Sequence, residues 1–177
     1  QALNPAFSQD VQIVRESFSA SRYFSGLIDN VAVFNRALTS TEIASLAVSG
    51  TDATSLATVA PNASLDYQAA LDATPMDGSW ENLSGLSTNH DWGINNNVGG
   101  ARNVAVTDDM LHGTSRAYTF NGTSDTATTS TFESFSGNPT GHSASFEILF
   151  RPSDTMGDEI LWETGGNGFG TALSISG

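Results

Sequence analysis

The feature that most constrains this chain is a series of short, turn-bounded segments with apolar residues at every second position. The clearest is Ser145 to Phe150, in which Phe146, Ile148 and Phe150 fall on one face and Glu147 and Leu149 on the other. That is the pattern of a strand inside a two-sheet stack. Further short strands are predicted at Val11 to Val14, Leu65 to Ala70, Trp80 to Leu83, Trp92 to Ile94 and Val104 to Val106. The series continues with Ala117 to Phe120, Thr126 to Thr131, Glu159 to Glu163 and Thr171 to Ile175. Gly, Asn and Pro separate them, and Asn121-Gly122 and Gly165-Gly166-Asn167-Gly168 supply the positive-φ positions that tight turns require. The spacing predicts an all-β fold, a two-sheet antiparallel β-sandwich.

One stretch, Tyr23 to Gly50, adds a helix. Ile28, Val31, Val33 and Phe34, interrupted by Asp29, Asn30 and Ala32, read as a half-buried strand. Thr39 stands three residues before Glu42, the spacing of a capping box, and Ile43, Leu46 and Ala47 follow on one face of a short helix near 40–48. Gly50 closes it.

These residues carry a family resemblance. The run FSGLIDNVAVFNRALTSTEI resembles the closing segment of laminin G-like, concanavalin A-like jelly-roll domains of secreted bacterial and archaeal proteins. YTFNGTSDTA, ASFEILFRP and ILWETGGNGFGTALSI resemble the opening half of the same domain. The order is inverted relative to the family. Residues 1–50 match its C-terminal segment, 51–62 read as a Ser/Thr/Ala-rich linker with the boundary near Ala60, and 63–177 match its N-terminal segment. The resemblance implies a concanavalin A-like jelly roll completed within one chain or between chains.

Six arginines, no lysine and nineteen acidic residues leave a net charge of −13, which argues against nucleic acid or an anionic membrane as partner. Without cysteine the chain can form neither disulfides nor thiolate metal sites, and without lysine it cannot form Lys–Asn isopeptide crosslinks. No run of about twenty apolar residues predicts membrane insertion, and Gln1 is not followed by a cleavable leader. The Ser, Thr, Asn and Gly content suits a secreted or cell-surface β-protein.

Catalytic signals are weak. Glu159 and Glu163 invite comparison with the Glu-x-Asp-x-Glu strand of laminarinase-like glycosidases, but Leu161 occupies the middle position. Residues four apart on a strand lie about 13 Å apart, far beyond the ~5 Å of a retaining carboxylate pair. On this reading Ile160 and Trp162 face the core, with Glu159, Leu161 and Glu163 opposite. His90, His112 and His142 lack metal-ligand spacing, and no Gly-x-Ser-x-Gly occurs.

Calcium is the ion that the resemblance and the acidic loops favour. Its candidate ligands are Asp29, Asn30, Asp125 and Asp77, each of which also suits a turn-capping or solvated role. For a glycan the candidate contacts are Trp92, His90 and Asp91; Trp80 and Trp162 suit core packing. Asn62, Asn82 and Asn121 head N-glycan acceptor triplets, whereas Asn138 is blocked by Pro139. The chain is expected to be a non-catalytic extracellular building block that contacts copies of itself, tandem repeats or a polysaccharide. A carbohydrate-binding module of a larger secreted enzyme is the alternative.

Overall fold

A computed structural model describes residues 11–15, 22–34, 36–48, 65–68, 78–83, 91–95, 105–109, 115–129, 145–154, 156–166 and 169–177. Among the described residues, eleven strands and one helix follow in the order β1 (Val11–Ile13), β2 (Ser25–Phe34), α1 (Ser40–Val48), β3 (Leu65–Gln68), β4 (Ser79–Trp80) and β5 (Trp92–Asn95). The chain continues through β6 (Ala105–Asp109), β7 (Ser115–Asn121), β8 (Thr126–Thr129), β9 (Ser145–Pro152), β10 (Asp158–Gly166) and β11 (Phe169–Ser176). Every strand pair among the described residues is antiparallel.

The strands form two sheets. One has six strands in the order β11-β10-β1-β8-β5-β4; the other runs β3-β2-β7-β6, with β9 on the opposite side of β2. The sheets share one apolar layer. Phe146 of β9 lies 4.0 Å from Trp162 of β10 between ring centroids, and Tyr118 of β7 lies 4.8 Å from Trp80 of β4. Ile13, Phe24, Ile28, Val31, Val33, Phe120 and Ala127 fill the space between.

Both early strands occupy central places. β1 lies between β10 and β8, and β2 lies between β9 and the pair β7 and β3. Two strands from the first third of the chain are thus threaded between strands from the rest, so neither sheet is continuous without them. β2 is buried from Ile28 through Phe34 on both faces, which explains why its sequence alternates only loosely.

A β-bulge at Asp29 sets its phase. Ile28 pairs with Phe150 but Asn30 pairs with Leu149, so Asp29 is the extra residue in the register of β2 against β9. The extra residue puts Ile28, Val31 and Val33 on one face, opposite the Phe150, Ile148 and Phe146 face predicted for β9. Ala32 and Phe34 point the other way and are covered by Leu38 and Leu46.

The helix is anchored there, and its cap has the predicted form. The Thr39 N–H donates to Glu42 Oε2 at 2.8 Å and the Glu42 N–H donates to Thr39 Oγ1 at 3.3 Å. Of the expected apolar face Leu46 packs against the sheet, whereas Ile43 is 55% exposed.

Two residues absorb backbone constraint. Gly26 has φ +153°, and a Cβ there would stand 2.3 Å from the Arg151 carbonyl oxygen, so only glycine lets β2 and β9 approach so closely. Val14 has φ +66°, uncommon for a β-branched residue. It is held by the Leu161 carbonyl, which accepts its N–H at 3.1 Å, and by the Phe24 N–H, which donates to its carbonyl at 2.9 Å.

Candidate functional site

The residues singled out in the sequence fall in three separate places. Asp29 and Asn30 are both buried in β2, Asp29 at the bulge. Asp125 lies in the turn between β7 and β8, 3% exposed, where its Oδ2 accepts the Asn121 N–H at 2.9 Å. Asn121 organises the same turn: its Oδ1 accepts from the N–H groups of Thr123, Ser124 and Asp125 at 2.9, 2.9 and 3.2 Å. Gly122, at φ +69°, makes the left-handed step that Asn-Gly predicts. The turn-capping role is therefore present for Asp125.

No three His, Cys, Asp or Glu side chains among the described residues converge into a group that could hold a metal ion. Asp77 and His90 lie outside the described residues, as do His112 and His142.

Trp92 is a core residue. Its side chain is fully buried, edge-on to Trp80 with ring centroids 5.8 Å apart, so neither face of its indole is open to a sugar. Asp91 beside it accepts the Asn82 N–H at 2.9 Å, tying the segment after β4 to the start of β5.

The glutamates of β10 differ from the expected alternation, and the cause is a second bulge. Ile160 pairs with Ser174 but Trp162 pairs with Leu173, leaving Leu161 as the extra residue. Leu161 and Trp162 both enter the main core cluster, and Ile160, opposite Ser174, is buried outside that cluster. Cross-strand partners share a face. Glu159, opposite Ile175, therefore lies on the core side, and Glu163, opposite Ala172, lies on the outer side. The two carboxylates that the glycosidase comparison would pair are on opposite faces of one sheet.

Glu159 is a buried carboxyl group. It is 9% exposed; Oε1 accepts the Ser25 N–H at 3.3 Å, while Oε2 is buried with no hydrogen-bond partner. Burial raises its pKa above the usual carboxylate range, opposed by the Ser25 hydrogen bond and reinforced by Asp154. It ties β10 in one sheet to β2 in the other.

The sequence pointed to Glu42 only as a cap. In the structure the Arg36 guanidinium also grips it, with Nη1 and Nη2 at 2.9 and 2.7 Å from its two oxygens. Arg36 lies 5.8 Å from the centroid of the Phe34 ring. The signal was the Arg-Ala-Leu that separates strand from cap, whose spacing alone does not show that the chain turns back far enough for the contact.

An apolar notch opens between the sheets beside β9 and β11, lined by Val31, Phe146, Ile148, Trp162 and Leu173. It has room for about one water molecule. No protein-family model matches the chain, and comparison with curated proteins and with solved structures likewise found no match.

Proposed function

We propose that this chain is a non-catalytic structural or adhesive β-sandwich of a secreted or cell-surface protein, working through contacts between copies or repeats. The observation that carries the reading is the fate of its tryptophans. Trp80, Trp92 and Trp162 are 0%, 0% and 4% exposed, so the side chains best suited to stack on sugars are used in the core. What the described residues offer outward is strand edges, rim turns and acidic surface, which suits backbone pairing with another chain more than a glycan cleft.

The laminin G-like jelly roll is the fold type we assign. It is supported by two antiparallel sheets with one short helix, and by β2, Arg36-Ala37-Leu38 and the capped α1 in the order the resemblance requires. Extracellular placement is supported by composition and by that resemblance. Calcium is not needed for this reading.

The test is sedimentation of the purified chain across micromolar to millimolar concentration, alongside a glycan array. Reversible self-association with an empty array is expected. A chain that stays monomeric while binding an array sugar would favour the carbohydrate-module alternative and overturn the assembly reading.

A further inference from the structure

An exposed strand edge recruits other strands unless something blunts it, and folded proteins use short length, charge, proline or bulges for that purpose. The terminal strands of the two sheets differ in this respect. β4 has two residues; β3 has four, including Asp66; β6 ends in Asp108-Asp109. β9 contains Glu147 and Arg151 and ends at Pro152. β11, FGTALSIS, is eight residues long and contains no charged residue and no proline. Ala172, Leu173 and Ser174 are all exposed, Leu173 by 43% although it lies on the same face as Trp162.

We propose that β11 is an interaction surface for a second copy of this chain, the two β11 strands pairing antiparallel about a twofold axis at Leu173. The proposal specifies the contact for the assembly reading above and rests on it.

Charge selects both the place and the occupant. Two copies carrying −13 each repel unless they meet where carboxylates are lacking, and β11 is the terminal strand among those described that satisfies this over a useful length. Antiparallel pairing of identical strands in one continuous sheet requires partners on the same face, so the register must centre on a residue. Centring on Leu173 places it opposite its own counterpart and sets Ala172 against Ser174. No charged group then opposes another at the centre. The paired leucines cover each other beside Trp162, closing the notch that Leu173 and Trp162 line. Each six-stranded sheet is continued by its copy, and the unpaired N–H and C=O groups of both edges are satisfied.

Two substitutions in the full chain test this. Leu173→Lys sets like charges directly opposite and should weaken the dimer about tenfold or more by sedimentation, with the near-ultraviolet circular dichroism of the monomer unchanged. Leu173→Cys should cross-link to a covalent dimer under diamide, read on a non-reducing gel against a chain that has no other cysteine. Ala172→Cys, whose counterpart across the axis is Ser174, should cross-link far more slowly. Because Leu173→Cys is a mild change, the test survives if the lysine variant does not fold.

Self-association that Leu173→Lys leaves intact, with equal or absent cross-linking at both cysteine positions, would overturn β11 pairing while leaving assembly standing. A wild-type chain that is monomeric at millimolar concentration would overturn both.

Discussion

A carboxyl group aimed into the seam between two sheets loses the water that stabilises its charge. Glu159 is in that position, with one oxygen bound to the Ser25 N–H and the other unpartnered. Its folded-state pKa lies above its unfolded value, so the folded state holds the proton more tightly. The stability this group contributes is greatest below the unfolded pKa, near 4.5, and falls as pH rises through the raised folded pKa. Glu159→Gln keeps the oxygen that accepts from Ser25 and removes the charge. The variant should be more stable than wild type at pH 7, with the difference vanishing in acid, as urea titrations at the two pH values would show.

At the scale of elements, the N-terminus of α1 is held by its cap. Leu46 and the preceding Leu38 meet the Ala32–Phe34 patch, while Ile43 is exposed. Thr39→Ala removes the N-cap oxygen and should cost about 1 kcal/mol locally, raising amide exchange at Glu42 and Ile43 roughly fivefold while leaving the sheets protected. Glu42 gives a second signature. Arg36 first, then the Thr39 N–H and hydroxyl, draw its pKa down to about 2. The stabilisation is therefore complete above the unfolded carboxyl pKa and is lost as pH falls from about 4.5 to about 2. Helix protection should fade over that window, and Glu42→Gln should remove the dependence.

For the whole molecule, the aromatic layer is what joins the two sheets. Trp92 is fully buried against Trp80, and Trp80 in turn contacts Tyr118 of the opposite sheet. Trp92→Ala should cost about 3–5 kcal/mol, lowering Tm by roughly 10 °C or more. A tryptophan serving as a sugar platform would change Tm little and abolish ligand binding instead, so calorimetry distinguishes the two roles.

Much of this arrangement was legible in local sequence. Period-two runs such as Phe146, Ile148 and Phe150, the Asn121-Gly122 turn and the Thr39–Glu42 box depend on neighbours within a few residues, and each is where its pattern puts it. What only the tertiary structure decided is which face each strand shows and which residues meet across the chain. The bulges at Asp29 and Leu161 arise from pairing with β9 and β11, and each shifts every side chain beyond it to the other face. That shift sends Leu161 inward and places Glu159 and Glu163 on opposite faces. Alternation is a property of one strand, but phase is a property of the pair, because the ladder that sets it is built from residues far apart in sequence.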